Sequence, residues 1–157
     1  MGDMTTSDDR ALEILHTLLR ITKESAEGLA VAERNVPDPT LWRELEPYLK
    51  QRRKMVEALE KRIRDFRGDP DVPPSGMAAL HRAWMQLRAQ SDGNPNEGIL
   101  AEVERGESIV VAAHQQALKE PDIDAATRKL FEEHNELAQT AYRRVRQLHE
   151  RTPYATS

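Results

Sequence analysis

Four side chains of this 157-residue chain, Glu27, Glu107, His114 and His134, are of the types that hold first-row transition metals. Two of them share the stretch ERGESIVVAAH, residues 104–114. Helical spacing puts Leu100, Val103, Val110 and Ala117 on one apolar stripe, and Glu107 and His114 fall on that same stripe. One reading makes them ligands of a divalent ion, with His134 bringing a second imidazole and Glu27 a second carboxylate. The two stripe residues cannot share an ion by themselves: seven residues of helix rise roughly 10 Å. The other reading is a buried polar network. A carboxylate removed from water needs a cation or several donors, or it takes up a proton. Arg52 sits on an apolar stripe of its own, between Leu49 and Met55, and this arginine or Arg53 can meet Glu107. Tyr142, Thr22, Glu27 and His134 are the remaining candidates for that network.

The elements that must position these residues are helices. Hydrophobic residues make up 38% of the chain and aromatics only 4%, a composition that suits aliphatic helix layers rather than a β-sandwich. Period and punctuation give four long segments. The first runs from Asp8 to Asn35 on Leu12, Leu15, Leu19, Ala26 and Leu29. After NVPDPT, Asp38 and Pro39 start the second, since proline at a first helical position loses no useful donor. It continues to Arg67 on Leu41, Leu45, Leu49, Met55, Leu59, Ile63 and Phe66, with a kink expected at Pro47 and a stop at Gly68 and Pro70. The third covers Glu97 to Lys119. The fourth covers Asp122 to Arg151 on Ile123, Leu130, Leu137, Ala141, Val145 and Leu148.

Connection lengths then select the topology. Short turns make antiparallel hairpins of the first and second helices and of the third and fourth. The 29-residue link between the hairpins contains a short helix, GMAALHRAWMQLRAQ, and is long enough to run back along a helix of roughly 38 Å. The expected fold is all-α: a ferritin-like four-helix bundle, two hairpins joined by a long crossover. Residues 8–151 form one domain in this reading, and 1–7 and 152–157 are flexible tails. The hairpins also echo one another, with Glu24 and Glu27 matching Glu104 and Glu107, and Gly28 and Gly106 beside the second glutamate of each. Close helix approach would compensate for glycine in mid-helix.

KESAEGLAVAER, YLKQRRKMVEAL, LHRAWMQLRA and ILAEVERGESIVVAAHQQAL occur in this order, and together they resemble an uncharacterised bacterial family of ferritin-like bundles. The resemblance spans Leu12 to Leu148, with LHRAWM and ILAEVERGE as its specific parts. It implies the ferritin-like fold and an intracellular protein, and it brings no established activity. Kinship with ferritin-like proteins implies an association with stress.

A ferritin-type di-iron centre needs one Glu from each of two helices and Glu-x-x-His from each of the other two. Glu27 and Glu107 can be the first pair, but the second helix has no histidine and carries Gln51, Arg52 and Arg53 where ligands belong. In the fourth helix Phe131 stands three residues before His134, and Gln139 and Tyr142 replace the motif further on. The literal Glu13-x-x-His16 lies near the start of the first helix, at the wrong position. The leading reading is therefore a non-catalytic structural or protein-interaction bundle with no cofactor. The alternative is a ferritin-related oxidase or storage protein that binds iron or manganese at a degenerate site.

Cysteine is absent, which excludes disulfides and thiolate chemistry. The chain has no Gly-rich phosphate loop and no nucleophile elbow. Neither a signal peptide nor a membrane span is legible, so a cytoplasmic protein is expected. The second helix is basic, with Lys50, Arg52, Arg53, Lys54, Lys61, Arg62, Arg64 and Arg67, yet the chain carries a net charge of −4. The one aromatic residue among these cations, Phe66, belongs to the apolar stripe, so they read as a solvated face neutralised by the acidic third helix rather than a nucleic-acid surface. Trp84, with Leu80 and Leu87, gives the crossover helix an apolar face, either docked on the bundle or open to a second copy or another protein.

Overall fold

The computed structural model describes residues 6–72, 82–83 and 95–151. Four long helices occupy most of them: α1 (Thr6–Asn35), α2 (Pro39–Asp65), α3 (Pro95–Leu118) and α4 (Ala125–Arg151). Asp38 caps α2 through its side chain, which accepts from the Thr40 amide at 2.9 Å, and Pro39 follows at the first helical position. Pro47 lies inside α2, which continues through it. The cap of α4 is Asp124, whose carboxylate accepts from the Thr127 amide at 3.1 Å. The fourth helix therefore starts three residues later than Asp122, the start expected from sequence, because Asp124 rather than Asp122 reaches the free amides of the first turn.

The end of α2 is a Schellman motif. The Gly68 amide bonds the Ile63 carbonyl at 2.9 Å, and the Arg67 amide bonds that of Arg64 at 2.8 Å. The left-handed position falls on Arg67 (φ 60°) and not on a glycine. Gly68 is closely packed instead: a Cβ there would lie 2.5 Å from Leu12 Cδ2 of α1, so the leucine side chain would have to shift.

Two apolar clusters fix the direction of every helix. One joins Leu29, Val31 and Ala32 at the end of α1 to Leu41, Leu45 and Leu49 at the start of α2. The start of α3 (Ile99, Leu100, Val103) and the end of α4 (Val145, Leu148) complete it. The other joins the start of α1 (Leu12, Leu15, Leu18, Leu19) to the end of α2 (Leu59, Ile63), Ala117 of α3, and Ile123 and Phe131 at the start of α4. Thus α1 and α4 run one way and α2 and α3 the other. The chain leaves α2 at one end of the bundle and enters α3 at the opposite end, so the link between them traverses its length. This is the hairpin–crossover–hairpin order expected for a ferritin-like bundle. The short crossover helix and Trp84, Leu80 and Leu87 on it lie outside the described residues. Arg82 and Ala83 are helical, and Arg82 pairs with Glu27 on α1.

The core stripe of α4 differs from expectation. Phe131, His134, Ala138, Ala141, Val145 and Leu148 are buried, whereas Leu137 is 37% exposed and Leu130 only half-buried. The buried set follows spacings of three and four without interruption, and Leu130 and Leu137 stand one position off it. No helix among the described residues is long and apolar enough to cross a membrane.

Candidate functional site at the bundle centre

Between the two apolar clusters the middle of the bundle is polar. Its central turns contribute Thr22 from α1, Arg52 from α2, Glu107 and His114 from α3, and His134 from α4, all of them buried. Each lies on the inward stripe of its helix, because aliphatic residues three to four positions away on both sides dock into the clusters and carry it inward.

Arg52 and Glu107 form an ion pair, with Nη2 of Arg52 donating to Oε2 of Glu107 at 2.5 Å. Both side chains are almost wholly withdrawn from solvent, at 0% and 2% exposure. Burial pushes the Glu107 carboxyl above the usual carboxylate range, while the Arg52 charge, the Arg52 hydrogen bond and a hydrogen bond with Ser25 pull it back. The hydroxyl that serves Glu107 thus comes from Ser25 of α1. Thr22 instead donates to the Leu18 carbonyl at 2.6 Å, Tyr142 is half-buried on α4, and Arg53 is exposed.

About two helical turns further along α3, the His114 and His134 rings lie with centroids 6.0 Å apart and planes tilted by 58°. Nδ1 of His114 donates to the Val110 carbonyl at 2.8 Å, which leaves Nε2 as the lone-pair nitrogen. Burial is the main cause that lowers both imidazoles, with Arg52 adding to it; His134 also feels His114 and falls to about 4. Both rings are therefore neutral at pH 7, the form that can ligate a metal. Nε2 of His114, Nδ1 of His134, Nε and Nη1 of Arg52 and Oε1 of Gln51 are buried without a protein hydrogen-bond partner. These atoms can serve ordered water or a small ligand.

Glu27 is not part of this centre. It is half exposed and pairs with Arg82 of the crossover. The match of Glu27 to Glu107 therefore holds in sequence and fails in space: Thr22, Ser25 and Leu29 point α1 inward, and Glu27 falls outside that stripe. Gly106 is likewise not a close-approach glycine, since a Cβ there would meet nothing within 4 Å. Among the described residues no three His, Asp or Glu side chains are grouped so as to hold a metal ion. His114 and His134 come together; Glu107 engages Arg52, and Glu27 lies apart.

Of the basic residues of α2, Arg52 pairs with α3, through Glu107, and Lys50, Lys61 and Arg62 find other partners. Lys50 meets Glu46 at 3.3 Å, Lys61 meets Asp65 at 3.6 Å, and Arg62 reaches Asp124 of α4 at 2.6 Å while stacking on Phe66. His149, in the last turn of α4, has no role in the sequence reading. It bridges Glu97 and Glu104 of α3. The heptad spacing of these two glutamates opposite the end of an antiparallel partner was the available signal.

Residues 10–120 match a family described as a domain of unknown function, DUF2383. The chain belongs to this family. Arg52, Glu107 and His114 fall inside the DUF2383 segment, and His134 and His149 follow it. A mutant of Dps1 from Mycobacterium smegmatis is a structural neighbour, with TM-score 0.75 and 14% identity over 95% of this chain and 99% of that one. At that identity the likeness concerns the fold alone, and it makes this DUF2383 protein a ferritin-like four-helix bundle. No curated protein matches the chain.

Proposed function

We propose that the protein is a non-catalytic ferritin-like bundle with a structural or protein-interaction role. The observation that carries this reading is the Arg52–Glu107 pair. The carboxylate best placed to ligate a metal at the bundle centre is already neutralised by a guanidinium at 2.5 Å, and a fixed cation there repels an incoming one. Outward-facing Ile109 of α3 and Leu137 of α4, 45% and 37% exposed, are the apolar positions available to a partner among the described residues. A second copy of the chain is one such partner. The test is elemental analysis of the purified protein followed by titration with Fe(II) and Mn(II). The reading expects no stoichiometric metal; stoichiometric binding abolished by Glu107→Ala would replace it.

A second reading has its own support. His114 and His134 each bury a nitrogen without a protein partner, on rings 6.0 Å apart from two helices, and neutral imidazoles so paired are of the type that ligates iron or manganese. In that reading the protein is a ferritin-related metal-binding protein, and His114→Ala or His134→Ala removes the metal.

A further inference from the structure

At the end of the bundle where the crossover enters α3, His149 in the last turn of α4 stands between two carboxylates. Its Nε2 donates to Glu97 at 2.9 Å, and its Nδ1 donates to Glu104. Carboxylates accept and do not donate, so both ring nitrogens must carry protons, and only the imidazolium satisfies both contacts. A neutral ring holds one carboxylate and turns a lone pair toward the other. Helix dipoles favour the same charges: Glu97 lies in the first turn of α3 and His149 in the last turn of α4.

We propose that His149, Glu97 and Glu104 form a proton-operated latch, in which the imidazolium pins the first turns of α3 to the last turn of α4 and loss of its proton releases that end of the bundle. The latched segments contribute Ile99, Leu100, Val103 and Leu148 to the apolar cluster at this end, so release loosens the packing there. Among the described residues the charged groups acting on the ring are Glu97 and Glu104 of α3. On α4 itself Arg146 and Glu150 pair with each other at 3.1 Å, and no charged group of α1 or α2 acts on His149. Partial burial opposes the charge on the ring, and the two carboxylates overcome it, raising His149 above an ordinary histidine. With Glu97 and Glu104 ionised, the latch is therefore closed at and below about pH 6.5, the ordinary histidine value, and opens as pH rises through the raised value.

An NMR titration of His149 in the full chain tests this without any substitution. The expected midpoint lies above that of a histidine in an unfolded reference peptide in the same buffer; a midpoint at or below the reference overturns the latch. Glu97→Gln and Glu104→Gln should each lower the midpoint, and an unchanged value in both also overturns it. Hydrogen exchange, corrected for the intrinsic pH dependence, should show residues 97–104 losing protection through that midpoint while the middle of α3 does not. In His149→Gln this pH dependence should disappear. Protection of 97–104 that is independent of pH in the wild type contradicts the proposal.

Discussion

Arg52 carries a guanidinium into the centre of the bundle, and Glu107 is the carboxylate set against it. Two buried charges lose their hydration, and their mutual attraction offsets that loss only while both are present. Arg52→Ala and Glu107→Ala should therefore each lower stability by about 3–5 kcal/mol in urea unfolding. The double replacement Arg52→Met with Glu107→Leu should lose less than either single change, because no charge is stranded. Additive losses would show that the two side chains act separately. The histidines beside them set an acid limit. Both fold with pKa values below the ordinary 6.5, His134 at about 4, so the unfolded chain binds more protons across that interval. Their contribution is complete above about pH 6.5 and is lost as pH falls through the window, at about 1.4 kcal/mol per pH unit for one histidine. Urea midpoints at pH 7 and pH 5 check this, and His134→Gln should flatten the difference. His149 acts with the opposite sign, its contribution fading as pH rises.

At the scale of elements, the two glycines at issue have opposite meanings. Gly106 is a mid-helix glycine with open space where its Cβ would stand, so Gly106→Ala should raise stability by about 0.5–1 kcal/mol through helix propensity. Gly68→Ala forces a methyl against Leu12 and Ile63 and should cost about 1–3 kcal/mol. Thermal melts of the two variants should move in opposite directions, and a rise for both would show that the α2 terminus yields freely. Helix existence, the Asp38 cap and the hairpin–crossover order were legible because period, proline and loop length each have a local cause. The inward face of α4 was less so, because Leu130 and Leu137 mimic a stripe one position away from the buried one. Arg67 in a left-handed conformation had no local signal at all, since glycine stands next to it and attracts the assignment.

In the whole molecule, a ferritin-like fold holds a polar layer between two apolar clusters, and the proposed function rests on the chemistry of that layer. The arginine on the second helix and the missing Glu-x-x-His motifs were visible in the sequence. That Glu27 turns outward to Arg82 while Ser25 turns inward to Glu107 was not, because helical residues two apart lie on different faces and only packing chooses between them. The pairing of His114 with His134 likewise depends on the register of α3 against α4. The proposed function requires that the Arg52–Glu107 pair closes the bundle centre in place of a metal ion. The most direct test is the melting temperature of wild type and Glu107→Ala, each with and without added Fe(II) or Mn(II) after chelation. Metal should leave the wild-type value unchanged, and Glu107→Ala should melt lower by the same margin in both buffers. A metal-dependent rise in the wild type that disappears in Glu107→Ala would contradict the proposed function.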